Sequence, residues 1–239
     1  MTLDPALAQA FETTWPAAEY HDIGGFRVGR GLGGGGRISS ARALGPDWHA
    51  DGIEAAAQLQ RDWDQPETFR VWSEETALAD ALTARGFRQD RPTLVMAVEA
   101  AQLTDREIPL VTVFPIWPPL AIQREIWAEG NIAGPRQAAM ERVAPLPHTS
   151  LLGRIEDHAS ASAFVAADGD VAMIHAIEVE PKMRRKGMAD WLLRGAAHWA
   201  RDHDASRLAL AVTAANAPAI ALYEKLGFAP VARYGYWSR

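Results

Sequence analysis

Hydrophobic positions recur along this chain with two periods, near two residues in some stretches and near three and a half in others, and the switches between them mark its elements. After a polar, helix-like opening, residues 20–30 and 36–44 read as two strands joined by a glycine-rich connection. A helix is predicted over 49–63, a short strand over 69–72, a helix over 75–84 stopped by Gly86, and a strand over 93–99. Residues 102–109 are polar and read as a linker. An apolar run at 110–114 and three prolines (Pro115, Pro118, Pro119) precede helices predicted over 122–130 and 135–143. Strands are predicted over 150–156, 160–167 and 171–180, the last two joined at the hairpin signal Asp168-Gly169-Asp170. An amphipathic helix over 188–203 places Met188, Leu192, Ala196 and Trp199 on one face and Asp190, Arg194, His198 and Arg201 on the other. A strand (207–212), a helix (217–226, ended by Gly227) and a terminal strand (228–237) complete the chain.

The two halves echo each other. Ala50-Asp51 recurs as Ala189-Asp190, Arg61-Asp62 as Arg201-Asp202, and Gly86-Phe87 as Gly227-Phe228, at offsets of 139, 140 and 141 residues. The order is the same in each half: start of a helix, its end, then the end of the next helix. The pattern predicts a duplicated fold divided into residues 1–103 and 104–239.

Composition narrows the classes of function. The 239 residues are 48% hydrophobic and 23% charged, the make-up of a globular chain with a sizeable core. A net charge of −6 gives whole-chain nucleic-acid binding no electrostatic support, so a local basic cluster calls for a local anion. There are no cysteines, which excludes disulfides, thiolate metal sites and a cysteine nucleophile. The seven histidines show no i,i+4 pair, and no metal is expected. The start has no basic leader with an apolar run, and no stretch has the length of a membrane span, so a cytoplasmic protein that acts without a membrane is the expectation.

A basic cluster does occur. The strand over 171–180 carries Ala172, Ile174 and Ala176 one way and Met173, Ile177 and Val179 the other, and ends at Pro181. Lys182-Met183-Arg184-Arg185-Lys186-Gly187-Met188-Ala189 then opens the amphipathic helix. First-turn amides have no intrahelical partner, and the helix dipole adds partial positive charge at that end. Gly187 admits close backbone approach, Ala189 is small, and four of the five residues from Lys182 to Lys186 are basic. A polyphosphate ligand satisfies these features together.

Arg184-Arg185-Lys186-Gly187-Met188-Ala189 resembles the R/Q-x-x-G-x-G/A signature of the GNAT superfamily of acyl-CoA-dependent N-acyltransferases. Asn216 to Phe228, with Ala219, Leu222-Tyr223 and Gly227-Phe228, resembles that family's second block, N-x-x-A-x-x-L-Y-x-x-x-G-F. The resemblance covers 171–228 and extends through compatible elements back to about residue 110. It implies an α/β fold with a mixed, mostly antiparallel central sheet flanked by helices, and it makes residues 1–103 a degenerate copy. That copy lacks the phosphate turn, since residues 43–50 contain Gly45-Pro46-Asp47-Trp48 and no basic run.

The resemblance also implies roles, with acetyl-CoA as acyl donor. Backbone amides of Arg184, Arg185, Lys186, Gly187, Met188 and Ala189 would hold the pyrophosphate. The strand edge at Ile177, Glu178 and Val179 would pair with the pantetheine arm. Asn216 would contact that arm, and Tyr223 would protonate the departing thiolate. Plainer readings stand beside these: Asn216 as a helix N-cap, Tyr223 as core, Lys182 and Lys186 as a solvated loop. For the base that deprotonates the attacking amine, Glu178 is the candidate, sharing the face of Ile174 and Ala176 by strand alternation; His175, on the opposite face, is the alternative or a hydrogen-bonded core histidine.

Several other signals bear on function. Gly29-Arg30-Gly31-Leu32-Gly33-Gly34 satisfies G-x-G-x-x-G, but a second strand is predicted after it, so it reads as a hairpin loop. Trp117 and Trp127 are candidates for the wall of an acceptor pocket. The acceptor expected is a small-molecule amine or a peptide N-terminus, with the net charge slightly favouring a cation; the protein would be a monomer or homodimer. The alternatives are a non-catalytic CoA-binding module and a structural protein built on a duplicated fold.

Overall fold

A computed structural model describes residues 4–239; the first three residues, included in the expected N-terminal division 1–103, lie outside it. The N-terminal half runs α1 (Pro5–Thr13), β1 (Glu19–Ile23), β2 (Phe26–Arg30), α2 (Gly36–Ser39), β3 (Ala41–Ala43), α3 (Ala50–Asp62), β4 (Thr68–Trp72), α4 (Thr76–Thr83), β5 (Arg88–Glu99) and α5 (Ala100–Leu103). The C-terminal half runs β6 (Val113–Ile116), α6 (Ala121–Glu129), α7 (Gly134–Glu141), β7 (His148–Ile155), β8 (His158–Asp168), β9 (Val171–Val179), α8 (Met188–Asp202), β10 (Arg207–Thr213), α9 (Ala217–Lys225) and β11 (Ala229–Ser238).

All eleven strands join one sheet in the order β1-β2-β3-β4-β11-β5-β10-β9-β8-β7-β6. The sheet is mixed and mostly antiparallel, as the family resemblance implies. Its two parallel pairs are β3–β4 and β9–β10, and each is bridged by a long helix, α3 or α8, because parallel neighbours need a crossover. Element starts repeat along the chain: α3 at Ala50 and α8 at Met188, β4 at Thr68 and β10 at Arg207, α4 at Thr76 and α9 at Ala217, β5 at Arg88 and β11 at Ala229. The halves interlock at the centre. β5 lies between β10 and β11, and β11 lies between β4 and β5, so each half supplies a strand to the other's sheet.

Helix period and burial agree on α8, where Met188, Leu192, Ala196 and Trp199 are buried against Ala163, Val165, Ile174 and Leu208 of the sheet. Each fully buried leucine there is worth roughly 1.5–3 kcal/mol. In the first half α3 and α4 bury Ile53, Ala57, Leu78 and Leu82 on Phe26, Phe69 and Phe87. On the other face α1 lays Leu7, Ala10 and Phe11 across the interlocked centre.

Four local expectations are corrected. Residues 20–30 are a hairpin, β1 and β2, because Gly24 and Gly25 take positive φ and reverse the chain. Residues 36–39 are a helical turn; short apolar runs carry too few periods to separate the two geometries. β5 begins at Arg88, because β11 gives its polar N-terminal part a hydrogen-bonded neighbour. Arg194, expected on the solvent face of α8, is 7% exposed, since residues 103–105 fold over it and supply the Leu103 carbonyl (3.1 Å) and the Asp105 carboxylate (2.5 Å).

Candidate active site

β9 and β10 pair only from Val171 to Met173 against Arg207 to Ala209, and then diverge. The gap continues into a cleft of about 420 Å³, walled by Ile174 to Ile177 on one side and Leu210 to Thr213 on the other. Beyond Met173 the edge of β9 that faces β10 has no strand partner, which leaves main-chain groups there open to an extended ligand, except the Val179 carbonyl, which accepts from Arg184 Nε at 3.0 Å.

β9 also buckles. Its register against β8 shifts between Ser162 and Phe164, and Ala176 takes φ +52°. The Trp127 indole Nε1 donates to the displaced Ala176 carbonyl at 2.8 Å. The bulge overturns the strand alternation read from the sequence. Ile177 and Val179 pack with Ile174 on the α8 side, and Ala176 joins Trp127 and Phe164 on the opposite face. Glu178 therefore lies opposite Ile174, against Gly130 at the end of α6. Its carboxylate accepts from Arg184 Nη2 at 3.0 Å.

After β9, Pro181–Met183 form a single 3-10 turn, Arg185 takes φ +67°, and Gly187 caps α8 at φ +83°. Only glycine adopts that last conformation without strain, and nothing lies within 4 Å of where its Cβ would be. No side chain caps α8, so its first-turn amides face outward unclaimed. The basic run is less charged than its sequence suggests: Arg184 pairs with Glu178 and Lys186 with Glu156 at 3.0 Å, whereas Lys182 and Arg185 have no carboxylate partner among the described residues.

Tyr223 and Asn216 both reach the cleft. Tyr223 is 8% exposed, packs against Phe228, and burial pushes its phenol up to about 12. Asn216 caps α9, accepting from the Ala219 amide at 3.3 Å, while still lining the cleft. His175 is spoken for on both nitrogens. The Thr14 hydroxyl donates to the Ala10 carbonyl at 2.6 Å, so it must accept from His175 Nε2 at 2.9 Å; that tautomer leaves Nδ1 as the acceptor for Arg37 at 3.3 Å. Burial, and then the Arg37 charge, hold the imidazole well below its usual range, so it is neutral and has no free lone pair.

The far wall comes from the N-terminal half and was not anticipated. Trp15, the Gly34–Gly36 backbone, Arg37 and Arg91 line it, with Arg136 of α7 and Tyr236 of β11. Gly29 to Gly34 does lead into a helix, contrary to the strand expected there, but α2 is a single turn of four residues. Neither Trp117 nor Trp127 lines the cleft: Trp127 is fully buried beneath the bulge, and Trp117 stacks edge-on to His148 at 4.3 Å. The glycine run beside Arg37 was the one sequence signal for this wall, and its register with the cleft depends on the interlocked sheet. Among the described residues no cluster of His, Asp and Glu could hold a metal ion, and no helix is long and apolar enough to cross a membrane.

With this geometry in place, residues 124–228 match the Acetyltransferase (GNAT) family. The stretch is a GNAT acetyltransferase domain. Its boundaries take in α6, the buckled β9, the glycine-capped α8 and Tyr223. A streptothricin acetyltransferase of Streptomyces lavendulae is 43% identical over an alignment covering 27% of this chain and 42% of that protein. The aligned stretch thus spans less than half the length of this curated relative. A GCN5-related N-acetyltransferase from Kribbella flavida superposes with a TM-score of 0.71 at 19% identity, over 98% of this chain and 92% of its own. A tandem GNAT protein from the clavulanic acid biosynthesis pathway does so with a TM-score of 0.60 at 15% identity, over 84% and 74%. The fold around the GNAT domain, including the N-terminal half, therefore recurs in solved structures.

Proposed function

We propose that the chain is an N-acetyltransferase that moves acetyl from acetyl-CoA to a primary amine by direct attack, with Glu178 as base and Tyr223 as acid. The observation that carries this reading is the divergence of β9 and β10 beside a buried tyrosine and a helix capped by Gly187. An extended pantetheine arm fits the unpaired edge at Ile177, Glu178 and Val179, with Asn216 across the gap. A pyrophosphate fits the amides from Arg184 through Ala189, where an outward-facing Cβ at Gly187 is absent. Arg185 supplies charge that no carboxylate among the described residues neutralises.

In the reaction the amine nitrogen forms a bond to the thioester carbonyl carbon, the C–S bond breaks, the amine's proton leaves to Glu178, and the sulfur is met by the Tyr223 hydroxyl. Glu178 is held by Arg184, so it accepts the proton on its second oxygen or through a water. Tyr223 stays protonated across the working range, as a donor must. Outright transfer from a phenol at about 12 to a thiol of ordinary pKa, about 8.5, is uphill by about 5 kcal/mol. The hydroxyl therefore acts chiefly by hydrogen bonding the sulfur as charge develops on it, and transfer completes as burial raises the thiol as well. His175 is excluded as base by its two hydrogen bonds.

The same reading makes residues 1–103 a degenerate copy and 104–239 the active one. Support comes from the repeated element starts and from the matching parallel pair β3–β4, which α3 bridges as α8 bridges β9–β10. The decisive experiment is release of CoA thiol from acetyl-CoA with a panel of amines that includes streptothricin. Turnover with at least one amine is expected; micromolar acetyl-CoA binding with no turnover on any amine would leave only a CoA-binding module.

A further inference from the structure

The charge of the far wall carries an inference about the acceptor. The lining of the cleft includes three arginines, Arg37, Arg91 and Arg136, and no aspartate or glutamate among the described residues; Glu178, the proposed base, follows Ile177 just outside that lining and pairs with Arg184. Two adjacent glycines bring bare backbone beside two of the lining arginines: a Cβ on Gly35 would stand 3.3 Å from Arg136 Nη2, and one on Gly36 would meet the Tyr236 ring at 3.1 Å and Arg91 Nη1 at 3.4 Å. Gly35 takes φ +97° to hold that bare stretch of backbone against the guanidiniums.

Their counter-ions are few. Arg91 has Asp90 at 3.0 Å on its outer side and lies over the Tyr236 ring at 4.8 Å. Arg136 donates to the Asn131 carbonyl at 3.1 Å and has no carboxylate partner among the described residues. Arg37 donates to the Phe11 carbonyl and to His175, and lies 3.8 Å over the Phe11 ring; its Nε is buried with no partner, and it makes no ion pair among the described residues, with Glu12, already paired to Arg70 and Arg42, its nearby carboxylate. For Arg37, half-buried with an unpartnered Nε, a ligand anion would offset the cost of burial, whereas Arg91 and Arg136 are exposed and add charge and hydrogen-bond donors. The guanidinium fork matches a carboxylate in two parallel hydrogen bonds.

We infer that the acceptor is an amine that also carries a carboxylate, and that Arg91 and Arg136, with Arg37 behind them, bind this carboxylate while the amine points to Glu178 and Tyr223. The inference rests on the acetyl-transfer reading above. It reverses the slight preference for a cationic acceptor suggested by net charge, because the local field of the cleft, and not the whole-chain sum, meets the substrate. It also assigns the degenerate N-terminal half a task, since Arg37, Arg91 and the Gly34–Gly36 backbone come from it.

The test compares kcat/KM, referred to free amine, for ω-amino acids of four to six carbons and α-amino acids, for their carboxamides, and for diamines of equal length. The acids are expected to exceed their carboxamides and the diamines by roughly 10- to 100-fold, through KM. Arg91→Gln and Arg136→Gln, both at exposed positions, should each reduce that ratio about tenfold or more without raising the acetyl-CoA KM, and Arg136→Lys should restore part of it. Calorimetry of the same acids and carboxamides on CoA-loaded protein reads the preference independently of turnover. Absence of turnover on every amine while acids still bind preferentially would sink the acetyl-transfer reading and spare the carboxylate site. Equal binding or turnover of acids and carboxamides, a preference for diamines, or an unchanged ratio in both glutamine variants would overturn it.

Discussion

The Trp127 indole and the Ala176 carbonyl are joined by a 2.8 Å hydrogen bond at the point where β9 leaves its partner strand. Without that donor the carbonyl, turned out of the β8–β9 ladder by the bulge, would be a half-buried acceptor with no protein partner. The same bond sets on which face Ile177, Glu178 and Val179 emerge. A core residue of α6 thereby determines which main-chain and side-chain groups the cleft receives.

Trp127→Phe keeps most of the packing and removes the donor. We expect a loss of about 1–3 kcal/mol in stability and a rise in acetyl-CoA KM larger than other core substitutions of equal cost produce. Urea unfolding and steady-state kinetics on one preparation test this; an unaltered KM would show that the bulge holds without the indole.

Tyr223→Phe retains the ring against Phe228 and deletes only the hydroxyl. Turnover should fall roughly ten- to a thousandfold with acetyl-CoA affinity nearly constant. A wild-type rate would remove Tyr223 from the chemistry and leave it a core residue.

Glu178→Gln and Arg184→Gln separate base from anchor. The first should lower kcat about 100-fold or more with acetyl-CoA KM nearly constant. The second, which frees the carboxylate and loosens the turn before α8, should act mainly on acetyl-CoA KM. Equal kcat effects in both would mean that the ion pair, and not proton removal, is what the reaction needs.

His175 makes stability depend on pH. Its folded-state pKa lies well below 6.5 because it is buried beside Arg37, so the unfolded chain binds the extra proton first as pH falls. Stability from this group is complete above about pH 7 and declines by up to about 1.4 kcal/mol per pH unit below 6.5. Glu12, held low by Arg70 and Arg42 despite its burial, adds its own loss only below 4.5, and Glu75, raised above 4.5 by burial, is common to wild type and variant, so their difference from pH 5 to 6.5 reports His175. Denaturant midpoints for wild type and His175→Gln across that window should converge as pH drops; parallel curves would contradict the assignment.

Gly187→Ala meets open space, so its effect is conformational. About 1 kcal/mol of strain at φ +83° is expected, with a weakened acetyl-CoA KM and intact kcat at saturation.

What the amino-acid order determined by itself was local. The period of α8, the hairpin at Asp168-Gly169-Asp170, the basic turn before Gly187 and the Asn216 cap depend on neighbours within a few residues, and all could be read from composition and spacing. The echo between halves, three dipeptides at helix ends, was legible for the same reason. Three things depended on tertiary structure. Strand alternation failed after His175 because a tryptophan some fifty residues earlier in the chain stabilises a bulge, and alternation assumes an unbroken ladder. Arg194 was misplaced because only the folded linker covers it. The arginine wall was invisible because Arg37, Arg91 and Arg136 converge through strand exchange at the centre of the sheet, and hydrogen bonding between strands far apart in the chain leaves no periodic trace in either one.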